Sequence, residues 1–181
     1  MLEEIELLNK QEIEITIERL CMQLIENHSG FENTVIIGVQ PRGTFLSNRI
    51  LAKLQTLVSK TKIKSGNVDI SFYRDELLRR DEPILLQEMD MNLTIEGKNV
   101  ILIDDVLFTG RSIRSAIDAL MTFGRPNSVE LLTLIDRRYS RHLPIQPNYV
   151  GRTIDALESE KVIVEWDEIN GIDRILMRKL E

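Results

Sequence analysis

Apolar residues recur along this chain at two different spacings, which predict helices and strands in turn. A spacing of three to four residues predicts amphipathic helices at 11–28, 45–57 and 112–123. Short apolar or alternating runs predict strands. These runs lie at 34–39, 68–73, 99–104, 128–135, 161–166 and 172–177.

The order of these elements indicates the fold class. Because strands alternate with helices, we expect an α/β protein with a doubly wound, mainly parallel sheet and helices on both faces. Ligands of such folds bind at the carboxyl ends of the strands. Two unusual segments, 40–43 and 104–112, come directly after strands. Residues 75–97 form a long charge-rich stretch with no clear period, and loops of that length are usually functional.

Composition narrows the class of protein further. A length of 181 residues suits one domain, 1–181, and 43% apolar residues suffice for a buried core. Cys21 is the only cysteine, which excludes an intrachain disulfide and a cysteine zinc site. The acidic amino-terminal segment and the absence of long apolar runs predict a cytoplasmic protein without a membrane partner. The net charge of −6 argues against indiscriminate binding to nucleic acid.

The stretch VILIDDVLFTGRS, residues 100–112, combines four aliphatic residues, two acids and a Thr-Gly turn before a helix. The first amides of a helix lack intrahelical partners and, with the helix dipole, bind anions. Thr109 and Ser112 add hydroxyl donors, Gly110 permits close backbone approach and Arg111 adds positive charge. This turn therefore predicts a site for a phosphate monoester.

The two acids that precede the turn predict a second binding function. Asp104 and Asp105 would repel phosphate, but they suit sugar hydroxyls, or Mg²⁺ directly or through water. Together with the turn they predict a ribose 5-phosphate site. The alternative is a buried strand with a polar turn in which Thr109 acts only as a helix cap. The chain has no GxxxxGK[ST] or GxGxxG motif, and a phospho-acceptor aspartate would not need the TGRS turn.

VILIDDVLFTGRS resembles the phosphoribosyl pyrophosphate (PRPP) signature of type I phosphoribosyltransferases. The resemblance covers most of the chain and is strongest to the pyrimidine operon attenuation proteins, many of which are also uracil phosphoribosyltransferases. Besides the signature, the similar segments are IIGVQPRG, DISFYRDEL, LMTFGRPNSVELLTLIDR, LPIQPNYVG and SEKVIV. The resemblance implies the type I phosphoribosyltransferase fold with a small base-binding hood.

The resemblance also implies a reaction, in which uracil and PRPP give UMP and pyrophosphate with the help of Mg²⁺. The implied catalytic residues are Asp104, Asp105, Arg42 and Arg74, with Arg79 and Arg80 as weaker candidates to assist. The two aspartates are also the implied Mg²⁺ site, through indirect contacts. The implied PRPP-binding residues are Val106, Leu107, Phe108, Thr109, Gly110, Arg111, Ser112, Pro41 and Gly43.

Two positions bear on how the family pattern applies here. Pro41 stands in the pyrophosphate loop where attenuation proteins commonly have threonine, and proline removes one backbone donor, which predicts weaker PRPP binding. Phe108 stands where related 6-oxopurine enzymes carry an aspartate, so we expect uracil rather than hypoxanthine or guanine. The residues that resemble the family's base side are Asp136, Arg137, Val150 and Gly151.

RNA binding is the other property that the resemblance implies. Attenuation proteins bind a pyrimidine-operon leader RNA through a basic face that includes part of the first helix. Here residues 10–28 hold Lys10 and Arg19 against four glutamates, which opposes contact with phosphates. The candidate RNA contacts are Arg19, Arg138, Arg141 and Arg152.

Three interpretations stay open at this stage. The chain is a uracil phosphoribosyltransferase, a UMP- or PRPP-sensing RNA regulator with little catalysis, or a phosphoribosyltransferase for another base. The family further implies a homo-oligomer, a dimer or larger.

Overall fold

The computed structural model describes residues 4–58, 61–70 and 94–179, which form two sheets and four helices. The strands are β1 (Glu4–Asn9), β2 (Thr34–Val39), β3 (Lys64–Val68), β4 (Asn99–Leu107), β5 (Ser128–Arg137), β6 (Tyr149–Ile154), β7 (Glu160–Glu165) and β8 (Arg174–Lys179). The helices are α1 (Lys10–Asn27), α2 (Gly43–Leu57), α3 (Arg111–Leu120) and α4 (Asp167–Asn170). Short 3₁₀ turns follow α3 and β5.

The main sheet has the strand order β3-β2-β4-β5-β6, and all of its pairs are parallel. Helices α1 and α2 pack on one face with Ile36, Ile101 and Ile103, whereas α3 packs on the other face with Val100 and Leu102. Because both faces are covered, β2 is buried along its whole length, which explains its uninterrupted apolar sequence. The doubly wound α/β fold expected from the sequence is therefore confirmed.

The second sheet is antiparallel, in the order β1-β8-β7, and we call it, together with α4, the hood. Its side chains Leu8, Val164, Trp166 and Ile175 belong to the same buried cluster as α1 and α2. The hood therefore packs against the helical layer on that face of the main sheet.

Among the described residues, no helix has both the length and the apolar character needed to cross a membrane.

Most elements lie where the apolar spacing predicts them, but one strand is misplaced and three elements are missed. The strand expected at 68–73 is wrong: the observed strand runs from Lys64 to Val68, and 71–73 lie outside the described residues. The observed segment KSGNV is largely polar because β3 is an edge strand, which pairs through its backbone with β2. Strands β1 and β6 and the short helix α4 were not predicted, since two of them are edge strands and α4 has only four residues.

Smaller differences affect the ends of several elements, of which three bear on the site or its surroundings. The helix expected at 112–123 ends at Leu120 and continues as a 3₁₀ turn, Met121–Phe123. The last strand begins at Arg174 rather than at 172. Strand β4 extends three residues beyond the prediction, to Leu107, so both aspartates of the signature belong to the strand itself.

Candidate functional site

The loop after β2 and the end of β4 meet at the carboxyl edge of the main sheet. Gly43, the first residue of α2, lies so close to β4 that a Cβ atom there would overlap the carbonyl oxygen of Ile103 and come within 3.0 Å of the Asp104 Cα. Glycine is therefore required at this point. The preceding Gln40–Pro41 peptide bond is cis. This close approach brings Arg42 beside the acidic pair of the signature.

The two aspartates of the signature are both buried, at 9% exposure for Asp104 and 6% for Asp105. The Asp105 amide donates to Asp104 Oδ1 at 3.0 Å. Burial raises the pKa of Asp105 to about 6, and the nearby positive charge of Arg42 and backbone hydrogen bonds act in the opposite direction. The Asp105 Oδ2 atom has no hydrogen-bond partner among the described residues. It is a buried acceptor that a ligand could satisfy.

A cavity of about 330 Å³ separates the end of β4 from the hood. Its lining consists of Arg42, Asp105, Val106 and the β7 residues 161–164. Arg42 Nη1 donates to the carbonyl oxygen of Val164 at 3.0 Å, so the loop after β2 also contacts the hood. The cavity thus combines a carboxylate with two cations, those of Arg42 and Lys161, from three separate segments.

Lys161 is the lining residue that sequence reasoning missed. The residue belongs to the segment SEKVIV, whose resemblance to the family was noted, but a lysine in a charged stretch ordinarily indicates a solvated surface. Its role as a lining residue depends on the packing of β7 over β4, which no local pattern reveals. Only the position of the hood brings it to the cavity that Asp105 also lines.

The turn before α3 is held in place from behind by the loop at 141–147. The amides of His142 and Leu143 donate to the Thr109 carbonyl oxygen at 3.0 and 3.3 Å. Gly110 has a φ of +89°, which favours glycine, and a Cβ atom there would also lie 3.3 Å from the Ile145 side chain, a tight contact. Thr109 and Ser112 are half-buried and Arg111 is exposed at the start of α3. A fixed turn at a helix amino terminus can bind an anion.

Phe108 and Arg137 stack on one another next to the signature turn. The Arg137 guanidinium lies over the Phe108 ring, 4.0 Å from its centroid, and its Nη2 donates to the Leu157 carbonyl oxygen at 2.8 Å. Burial lowers the pKa of Arg137, and the charge of Glu160 opposes that effect. Its Nε atom is buried without a hydrogen-bond partner among the described residues. An unsatisfied donor beside an aromatic ring suits a planar ligand that carries a carbonyl oxygen.

The four residues predicted for the base side do not all line one cavity. Asp136 and Val150 line a different cavity, of about 530 Å³, beneath the loop at 143–147, and Asp136 forms an ion pair with Arg141. A Cβ atom on Gly151 would lie 2.9 Å from Thr16 Cγ2, so Gly151 lies beneath α1. Of the four, Arg137 alone contacts Phe108 of the signature.

The four arginines predicted for RNA all donate to groups of the same chain. Arg19 bonds to the carbonyl oxygens of Val150 and Gly151, and Arg152 to that of Leu7. The remaining two have acidic partners: Arg138 binds both oxygens of Asp155, at 2.7 and 2.9 Å, and Arg141 binds Asp136. Arg141 also donates to the Phe108 carbonyl oxygen. Much of the basic cluster therefore holds loops of this chain together.

Three of the predicted site residues belong to a part of the chain that the structure does not describe. Arg74, Arg79 and Arg80 lie outside the described residues. Within the described parts of the chain, no group of three or more histidine, cysteine, aspartate or glutamate side chains could hold a metal ion. A divalent cation bound to Asp104 and Asp105 would therefore need ligands from a substrate or from water.

Comparisons with known proteins agree on one family. The model of the phosphoribosyl transferase domain matches residues 5–168. The chain is 39% identical over 176 residues to the bifunctional protein PyrR of Halalkalibacterium halodurans, which covers 96% of each chain. It is 36% identical over 178 residues to the bifunctional protein PyrR of Bacillus subtilis, with 97% of each chain covered.

Solved structures support the fold alone, because their identities are lower. A hypoxanthine phosphoribosyltransferase from Staphylococcus aureus has a TM-score of 0.71 at 23% identity, covering 98% of this chain and 92% of the other. The hypoxanthine phosphoribosyltransferase of Trypanosoma cruzi in complex with IMP has a TM-score of 0.73 at 18% identity, covering 98% and 91%.

The raised pKa of Asp105 can be tested by replacing its carboxyl group and measuring protein stability as a function of pH. The unfolded carboxyl group ionises near pH 4, whereas the folded one stays protonated up to about pH 6. Asp105 therefore lowers the free energy of unfolding as pH rises across this window, by about 3 kcal/mol in total. Urea unfolding from pH 4 to 7.5 should find that Asp105→Asn gains stability relative to wild type over that window.

The control is Asp118→Asn, which changes an exposed aspartate on α3 that pairs with Arg114. Its stability difference from wild type should vary little over the same pH range. A difference for Asp105→Asn that is equally independent of pH would contradict the assignment of a buried, raised carboxyl group.

Proposed function

The chain belongs to the phosphoribosyltransferase family, and within it to the PyrR proteins, and we propose that it transfers the phosphoribosyl group of PRPP to uracil. The products are UMP and pyrophosphate. The cavity between β4 and the hood carries this proposal, because it sets Asp105 against Arg42 and Lys161 beside a fixed anion-binding turn. A sugar that bears a phosphate at one end and a pyrophosphate at the other matches that arrangement of charges.

PRPP binds with its 5-phosphate at the turn before α3. The amides of the turn at 108–112 and the hydroxyl groups of Thr109 and Ser112 donate to the phosphate, and Arg111 adds positive charge. Asp104 and Asp105 accept hydrogen bonds from the ribose hydroxyls. The unpartnered Asp105 Oδ2 supports this role, since a buried acceptor without a donor is costly until a ligand satisfies it.

The pyrophosphate leaving group binds to the cations of the cavity. Arg42 has about five N–H donors, of which the Val164 carbonyl oxygen takes one, so it can also bind phosphate oxygens. Lys161 faces the same space from β7, and Gly43 admits the leaving group close to the backbone. Arg74 stays a candidate to close over the site. Pro41 has no amide hydrogen, so the loop offers one donor fewer than the family pattern.

Mg²⁺ fits the donor set of this site. Mg²⁺ is typically bound by one or two carboxylates together with substrate phosphates and water, and Asp104 and Asp105 supply such a pair. When bound, Mg²⁺ neutralises part of the negative charge on the departing pyrophosphate. The chain's own contribution is to position the ribose, to exclude water beneath the hood and to stabilise the leaving group with Arg42 and Lys161.

The stacked pair of Phe108 and Arg137 supports uracil as the base. The buried Nε–H of Arg137 can donate to a ring carbonyl oxygen, of which uracil has two. Phe108 can neither give nor take a proton, and Arg137 covers one face of its ring. The site therefore lacks, at this position, the acid that the related 6-oxopurine enzymes use.

A base-competition assay tests the choice of substrate. Uracil, orotate, hypoxanthine and guanine are each incubated with the protein, PRPP and Mg²⁺, and nucleotide formation is measured by chromatography. We expect UMP as the main product, and Arg137→Ala should lower kcat/KM for uracil at least tenfold because the donor to the carbonyl oxygen is lost. A greater rate with hypoxanthine or guanine than with uracil would refute the proposed base.

Lys161→Ala tests the residue that only the structure brings into the site. A charge-assisted hydrogen bond contributes about 1.5 kcal/mol or more, so the KM for PRPP should rise about tenfold. The matched control is Lys64→Ala, which removes an exposed lysine at the start of β3, the end of the strand away from the site. Equal KM values for the two variants would show that Lys161 does not contact the pyrophosphate.

Binding of a leader RNA is the second function to consider, because the relatives are named bifunctional. We propose that this chain does not bind such an RNA tightly. Arg138 and Arg141 are paired with Asp155 and Asp136, and the exposed side of α1 carries Glu14 and Glu26. Negative charges on that helix repel phosphates. The homo-oligomer implied by the family stays a prediction.

An RNA-binding assay distinguishes the two functions. A pyrimidine-operon leader RNA and a scrambled RNA of equal length are titrated at about 0.15 M salt, with and without UMP. We expect no difference between the two RNAs in either condition. Specific binding that UMP strengthens would contradict the proposal and assign the chain a regulatory function as well.

A further inference from the structure

Arg49 on α2 links the helical layer to the hood. Its Nε donates to Glu168 Oε1 at 3.0 Å, and its Nη2 donates to Glu168 Oε2 at 2.6 Å and to Asp173 Oδ1 at 2.7 Å. The guanidinium also lies over the Trp166 ring, 4.6 Å from its centroid. All three partners belong to the hood or to the segment that joins its strands. A single side chain of α2 thus contacts the hood at three points.

The partners of Arg49 are held firmly in turn. Asp173 is 6% exposed and also accepts from the Asp167 amide at 2.9 Å, and Trp166 is fully buried. Burial acts to raise the pKa of Asp173, but hydrogen bonds from Arg49 and Asp167 hold it below its ordinary value. The Arg49 hydrogen bond likewise lowers the pKa of Glu168. Both carboxylates are therefore ionised at neutral pH, and the link is a charged one.

The position of Arg49 along α2 connects this link to the cavity. Arg49 follows Arg42 by seven residues, about two helical turns, so both side chains emerge from the same side of the helix. Arg42 donates to Val164 inside the cavity, and Arg49 holds Glu168 and Asp173 outside it. Strand β7 runs directly from the cavity wall at 161–164 to Trp166, which lies beneath Arg49.

The hydrogen bonds that Arg42 and Arg49 make to the hood differ in whether the proposed reaction involves the arginine. On the proposed function, Arg42 binds the pyrophosphate through the N–H donors that Val164 leaves free, so its contact with the hood also depends on the substrate. Arg49 lines no part of the cavity, so its bonds can persist throughout the reaction. It is therefore suited to keep the hood in place while Arg42 is engaged with substrate.

We propose that Arg49 is a positioning residue, which fixes the hood and its residues 161–164 over Asp105 without touching the substrate. The inference rests on the proposed function for its kinetic consequences. Because hood contacts form both with bound substrate and in the transition state, a looser hood should raise KM more than it lowers kcat.

Conservative variants test this role without leaving Asp173 unpaired. Arg49→Lys keeps the charge but loses the paired bonds to Glu168, and Glu168→Gln removes the exposed acid. We expect each to raise the KM for PRPP, Arg49→Lys about five- to tenfold, with kcat within about twofold of wild type. The double variant should be no worse than Arg49→Lys, since both changes break one link.

The matched control is Arg178→Lys, which weakens the ion pair of Arg178 with Glu4. Both of those residues lie in the hood, so this pair does not join the hood to α2. The control should leave the KM for PRPP unchanged. Trp166, the single tryptophan, reports on the link, because its emission should shift in Arg49→Lys and not in Arg178→Lys.

The outcomes separate this inference from the choice of base. The dissociation constant of PRPP with Mg²⁺, measured by calorimetry, requires no base and should rise with KM in Arg49→Lys. That rise supports the positioning role even if uracil proves not to be the substrate. A shifted Trp166 emission with unchanged PRPP affinity and KM would overturn the positioning role. A rise in KM in the double variant equal to the product of the rises in Arg49→Lys and Glu168→Gln would also overturn it.

Discussion

The parallel pairing of β4 with both β2 and β5 is the constraint on which the rest of the site depends. It puts the carboxyl ends of three strands at one edge, so that the loops after them can share a ligand. The contact of Gly43 with the backbone of β4 sets the spacing between two of these loops. A side chain there would push Arg42 away from Asp105, and the charges that face one another in the cavity would separate.

Burial strengthens the electrostatic interactions of these charged groups, and it also imposes a desolvation penalty on them. Asp105 is removed from water, which raises its pKa, and Arg42 offsets part of that effect. Arg137 is also partly removed from water, which lowers its pKa, and its Nε atom lacks a hydrogen-bond partner among the described residues. Unsatisfied buried groups at the mouth of a cavity favour ligands that complete their hydrogen bonds. The same groups make the ligand-free site less stable than an apolar packing of equal size would be.

The sequence predicted the elements whose pattern reflects full burial, and it failed where a strand owes its position to a partner. β2 and β4 are continuous apolar runs, whereas β3 and β6 are edge strands with mixed sequences and were misplaced or missed. The placement of the base-side candidates likewise depends on strand geometry. Successive side chains of a strand point to opposite faces, so Asp136 lines the larger cavity whereas Arg137, adjacent in sequence, stacks on Phe108.

By itself, the sequence determined the anion-binding turn and the acidic pair, because both follow from a single continuous segment at the end of a buried strand. Only the tertiary structure decided which cations face that segment. Lys161 and Arg49 acquire their roles from the packing of the hood against β4 and α2, and the charge of Arg138 is paired with that of Asp155 across a loop. Local spacing records which residues share one face of an element, whereas long-range packing determines which faces meet and which charges are neutralised.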